Sequence, residues 1–151
     1  MRTTLLALFA ALSFPALAQP APPDLSGGAR RGQASVFAPA LAGRRMADGG
    51  RVELNSDSAA SSALPLGTTA RIRNLRNRRV AMVRVRDRLP PNGERLISVT
   101  PKVAQFLGMP LNGVARVEVA PLAVPQSDGS VRLGSGTALS GRRAQMVSPP
   151  R

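Results

Sequence analysis

TARIRNLRNRRVAMVRVRDR, residues 69–88, reads as two strands joined by a tight turn. From Thr69 to Leu75 apolar and polar residues alternate, which places Ala70, Ile72 and Asn74 on one face of an extended segment. Asn77 and the two arginines after it supply the turn. The second strand runs from Val80 to Arg88. Val83 and Val85 alternate there with Arg84 and Arg86, so Asp87 is expected on the valine face. Leu89-Pro90-Pro91-Asn92-Gly93 then ends the pattern.

Further strands flank this hairpin. Gln33 to Ala38 is a short extended run stopped by Pro39, and Leu96 to Thr100 is another. Thr100 is placed to cap a short helix with Pro101 at its first position, and PKVAQFL ends at Gly108. Gly113 to Val119 is the last strand of the folded part. Ser58 to Leu64, dominated by Ser, Ala and Leu and followed by Pro65, reads as a second short helix. Several short strands with one or two small helices, within about 90 residues, predict a mainly β domain closed into a small barrel. Closure removes the exposed strand edges that invite aggregation.

The ends of the chain differ from this middle. Met1-Arg2, the apolar run Leu5 to Phe14 and Ala16-Leu17-Ala18 have the layout of a bacterial-type export signal, with cleavage expected after Ala18. The apolar run is shorter than the roughly 20 residues of a membrane span. Residues 19–31 read as a disordered lead-in, 32–122 as the folded domain, and 123–151 as a flexible basic tail in which only Val131 to Leu133 could pair as an edge strand.

Composition narrows the chemistry. The 151 residues contain no Cys and no His, which excludes disulfides, thiolate sites and the commonest neutral-pH base. Catalysis must rest on carboxylates, hydroxyls or backbone groups, and no metal or cofactor is expected. Lys and Arg number 21 against 8 Asp and Glu, a net charge of +13, and every cation but Lys102 is Arg. Such a charge draws the protein toward polyanions. Nucleic acid is disfavoured, because beyond the leader only Phe37 and Phe106 are available to stack on bases.

Four stretches carry a resemblance to a known family: GQASVFAPALAGRRMADGGRVELN from Gly32, ALPLGTTARIRNLRNRRVAMVRVRDRLP from Ala63, RLISVTPKVAQFLGM from Arg95, and GVARVEV from Gly113. Together they resemble the rare lipoprotein A family across residues 32–120. The resemblance implies a six-stranded double-psi β-barrel and the activity of an endolytic peptidoglycan lytic transglycosylase. That activity cleaves the bond between N-acetylmuramic acid and N-acetylglucosamine and leaves a 1,6-anhydro product. It implies peptidoglycan glycan strands as the partner, with other cell-wall or division proteins beside them. The export-type leader places the protein in the periplasm, after secretion across the cytoplasmic membrane, its short apolar run argues against a membrane span, and the absence of Cys leaves no acceptor for the lipid anchor that the family carries.

The resemblance places the catalytic acid at Asp87, within Arg86-Asp87-Arg88-Leu89 where the family reads Asn-Asp-Arg-Gly. The family's Gly-Glu-Arg is Gly49-Gly50-Arg51 here, its His falls on Ser61, and the Asp of its Ile-Asp-Leu-Ser strand falls on Ser98. Arg51, Arg84, Arg86, Arg88 and Asn74 are the candidate glycan-binding residues. Two functions therefore stay open: a lytic transglycosylase working through Asp87, and a catalytically inactive barrel that binds peptidoglycan or a partner.

Overall fold

A computed structural model describes residues 21–90 and 93–137. The expected leader 1–18 lies outside the described residues, as does the end of the chain from 138. In chain order the strands are β1 (Arg30–Val36), β2 (Ser58–Ser61), β3 (Thr69–Asn74), β4 (Val80–Arg88), β5 (Arg95–Val99), β6 (Val114–Pro125) and β7 (Val131–Leu133). A helix, α1 (Pro101–Leu107), follows β5, and 3-10 turns occupy Pro39–Leu41 and Ser135–Thr137. The sheet runs β1-β5-β2-β4-β3-β6, and β6 returns to pair with β1, so six strands close into a barrel with β7 appended to β6. The pairs β1–β5 and β2–β4 are parallel and the others antiparallel. Among the described residues no helix is long and apolar enough to cross a membrane.

The barrel interior is built from alternating small and branched residues. Ile72, Val85, Ile97, Val99 and Val117 are fully buried around Ala34, Ala59 and Ala70. Small residues let opposing branched side chains interdigitate in a narrow barrel. Helix α1 closes one end with Val103, Ala104 and Leu107. Its local design follows the sequence: the Thr100 hydroxyl accepts the Val103 amide, Pro101 opens the first turn, and Gly108 ends the helix at φ 64°. Thr100 also donates to the Ser56 carbonyl at 2.6 Å, which ties the cap to the chain entering β2.

Three expectations are corrected. Ser58–Ser61 is not a helix but strand β2, flanked by β4 and β5 with all four residues buried. Its small side chains suit a strand covered on both faces, and tertiary pairing overrides a weak helix preference. The folded part also exceeds 32–122 at both ends. β1 begins at Arg30, β6 continues to Pro125, and β7 pairs with Ala123–Pro125. The third correction is a change of face at Asp87. The register of β2 and β4 shifts between Ala59 and Ala60, so that Ala59 opposes Val85 while Ala60 opposes Asp87. This bulge turns Asp87 away from the valine face.

Residues before β1 are tied to the barrel rather than free. The Asp24 amide donates to the Ala63 carbonyl at 2.7 Å, and the Ser135 amide donates to the Gly27 carbonyl at 2.8 Å. The Asp24 carboxylate pairs with Arg30 at 2.8 Å. Hydrogen bonds from the Ser26 hydroxyl and amide, and then from Arg30, lower its pKa from 3.8 to about 2. Because the folded value is the lower one, this clasp stabilises the fold fully above the ordinary carboxylate value. The contribution declines as pH falls from 3.8 through about 2. Protection of the Ser26 amide, its exchange rate set against the intrinsic rate at the same pH, is expected to fall across that window, and in Asp24→Asn to be low and free of that step.

Candidate active site

A second, smaller apolar cluster lies outside the barrel core: Phe37, Met46, Val52 and Ala60, with Leu41, Leu54 and Leu89 packed against it. It is made by the excursion between β1 and β2, which folds back on itself. The Gly43 amide donates to the Val52 carbonyl and the Val52 amide to the Arg44 carbonyl. At the tip, Gly49 at φ 89° allows the tight turn in which Gly49 donates to the Met46 carbonyl.

That tip is docked on the bulge of β4. The Asp48 amide donates to the Arg86 carbonyl at 3.1 Å, and Arg86 Nε donates to Asp48 Oδ2 at 2.7 Å. The Ala47 amide donates to Asp87 Oδ1 at 3.0 Å, and the Arg88 amide donates to the same oxygen at 2.9 Å. Asp87 Oδ2 accepts no hydrogen bond among the described residues. Asp87 is thus held at one oxygen by two backbone amides and open at the other.

A groove of about 620 Å³ runs over this cluster. Phe37, Leu41, Val52, Ala60 and Leu89 give it an apolar lining, and Asp87 is its only carboxylate among the described residues. Arg44, Arg45, Arg88 and Arg95 line it as well. Ser98 also faces it, nearly buried, with its hydroxyl 2.5 Å from that of Ser35.

The structure distributes the expected site residues unevenly. Arg88 lines the groove with Asp87. Arg86 stands beside it but is engaged with Asp48, whose carboxyl it holds below the usual range together with the Gly50 amide. The tip of Arg86 fills the space that a side chain at Gly50 would enter. At the position where the resemblance leads one to expect a Glu, this chain packs an Arg–Asp pair. Arg84 is exposed on the face of β4 opposite Val83 and Val85, outside the groove lining. Arg51 is exposed and donates to the Gly43 carbonyl at 2.9 Å, which stitches the excursion together.

Asn74 is buried and remote from the groove. Its amide donates to the Leu107 carbonyl at 2.8 Å, and its oxygen accepts the Arg76 amide at 3.0 Å. It therefore closes the C-terminal end of α1 and the β3–β4 turn rather than meeting a sugar. Ser61, where the resemblance leads one to expect the family's His, is likewise structural: its hydroxyl donates to Leu96 O and accepts from the Ala63 and Leu64 amides. Arg44, Arg45 and Arg95 join the groove without any mark in the sequence. They come from separate segments, and nothing local in either segment marks them as neighbours of Asp87.

A family model described as lytic transglycolase, a double-psi β-barrel domain, matches residues 29–119. The chain belongs to this family. Its barrel is therefore the double-psi barrel, with Asp87 and the excursion inside the matched region. A probable endolytic peptidoglycan transglycosylase RlpA from Synechocystis is 40% identical over 86 residues, covering 57% of this chain and 27% of the relative. An endolytic peptidoglycan transglycosylase RlpA from Neisseria meningitidis is 35% identical over 96 residues, covering 64% of this chain and 40% of the relative. The chain thus spans well under half the length of these two curated relatives. Among solved structures, a Streptomyces papain inhibitor superposes with a TM-score of 0.47 at 18% identity, covering 63% of this chain and 94% of that one.

Proposed function

We propose that this lytic transglycolase-family barrel cuts peptidoglycan glycan strands, with Asp87 as its general acid and base. The observation that carries the reading is the asymmetric anchoring of Asp87. Two backbone amides fix Oδ1, and Oδ2 stands open in a groove with an apolar floor. In its protonated form Asp87 gives its proton to the glycosidic oxygen as the bond to muramic C1 breaks. The resulting carboxylate takes the proton of the muramic C6 hydroxyl as that oxygen bonds to C1, which closes the 1,6-anhydro ring and restores the acid. No water is consumed, so the second carboxylate that hydrolysis requires has no task. The names of the relatives, which are endolytic peptidoglycan transglycosylases, support this substrate.

One observation favours a binding role instead. Among the described residues the groove has one carboxylate, and Arg86 fills the space beside Gly50. Mass spectrometry of purified glycan strands after long incubation with the protein separates the two readings. Anhydro-muramic ends appearing with time establish the lyase. Strands that are retained but remain intact establish the binder. The reading places its work outside the cytoplasmic membrane, in the periplasm, and the export-signal pattern at 1–18 supports that. N-terminal sequencing of the protein recovered from its host is expected to begin at Gln19.

A further inference from the structure

The groove holds more positive charge than its own chemistry needs. Among the described residues the ion pairs are Arg30–Asp24, Arg31–Glu118, Arg86–Asp48 and Lys102–Asp57. None involves Arg44, Arg45, Arg88 or Arg95, the four arginines of the groove. The one carboxylate that lines the groove among the described residues, Asp87, is held by backbone amides. All four are exposed, and their like charges raise the positive potential at the rim of a cleft with apolar walls. A ligand that brings its own negative charges relieves this.

The hollows on either side extend the pattern. One, of about 330 Å³ and bordered by Pro22, Pro23 and Ser62, shares Arg88 and Leu89 with the central groove. The other, of about 540 Å³ and bordered by Leu111, Asn112 and Val114, shares Arg95 with it. An arginine thus stands at each junction, with Asp87 in the compartment between. A linear ligand laid through all three hollows passes a guanidinium on each side of Asp87.

We infer that this cleft is specific for glycan carrying carboxylates, which Arg88 and Arg95 grip on the two sides of Asp87 while Arg44 and Arg45 add to the field. The inference rests on the glycan-strand reading above and adds to it the chemical feature being read. Guanidinium suits the task because its planar fork binds a carboxylate through two parallel hydrogen bonds. Two sources supply such a carboxylate on a wall polymer: the free lactyl group of a muramic sugar without a peptide, and the acidic groups of an attached stem peptide.

Binding of the purified protein to four labelled ligands tests this. They are strands without peptides, strands bearing peptides, peptide-free strands whose carboxyls have been converted to neutral amides, and uncharged chitin oligosaccharides of equal length. At low salt the neutralised strands and chitin are expected to bind at least ten-fold more weakly than the better of the two acidic ligands. That better ligand identifies the source. Arg88→Gln/Arg95→Gln is expected to lose this ten-fold on the acidic ligand and nothing on the neutral ones. Arg116→Gln/Arg132→Gln removes the same charge from exposed sites outside the groove and is expected to stay within two-fold of the parent. Neutral strands bound as tightly as acidic ones overturn the inference while leaving the glycan-strand reading intact. An equal loss in the Arg116/Arg132 variant overturns it too, since net charge alone then explains binding. No binding to any of the four ends both.

Discussion

Asp87→Asn is expected to lower the rate of anhydro-product formation by about 100- to 10,000-fold, the range that a positioned acid–base group contributes. The substitution is close to isosteric. The side-chain oxygen of Asn can still accept the Ala47 and Arg88 amides that hold the tip of the excursion at 3.0 and 2.9 Å. The NH2 group then takes the place of Oδ2, where it can neither donate an acidic proton nor accept one from C6. Folding and strand binding are therefore expected to survive while bond cleavage does not. Unchanged cleavage in the variant would remove Asp87 from the chemistry. Loss of the fold, read from the thermal transition, would instead make Asp87 an anchor for the excursion.

Ile97→Ala is expected to destabilise the barrel by about 2–5 kcal/mol. Ile97 is fully buried on β5, opposite Ala34 of β1 and Ser61 of β2. Two of its neighbours in the closed sheet carry small side chains, and closure leaves the strands little freedom to move inward, so the cavity stays open. Against a total stability of about 5–15 kcal/mol for an ordinary domain this is a large fraction. The thermal midpoint should fall by on the order of 10 °C or more. Val131→Ala on β7, where the side chain is 61% exposed, provides the comparison and is expected to stay within about 0.5 kcal/mol. Equal losses for the two would refute the account of the core. Ile97 also precedes Ser98 in the groove wall, so glycan binding by the variant at low temperature measures how far core packing shapes the site.

Much of the fold was legible because its signals are local. β4 occupies Val80–Arg88 as its alternation indicates, and α1 occupies Pro101–Leu107 between a Thr cap and a Gly stop. What escaped the sequence depends on partners distant in the chain. Ser58–Ser61 is a strand because β4 and β5 flank it, a fact absent from its own four residues. Asp87 changes face because a bulge forms against β2, whereas strict alternation would have kept it with Val85. Asn74 reads as a turn residue and, second, as a glycan contact, and the carbonyl it serves belongs to Leu107, distant in the chain. Only Asp87 and Arg88 of the expected residues line the groove, and three of its four arginines come from other segments.

The pairing of β1 with β6 also sets a schedule. Arg30–Ser35 finds one of its two neighbouring strands only at Val114–Val119, so the barrel cannot close until nearly all of the matched domain has been made. Pairings between distant segments require long loops to be closed before any contact rewards them, which slows folding. A polypeptide emerging from its N-terminus exposes β1 first and completes it last. During that interval β1 stands without one of its two neighbours, and the barrel stays an open sheet.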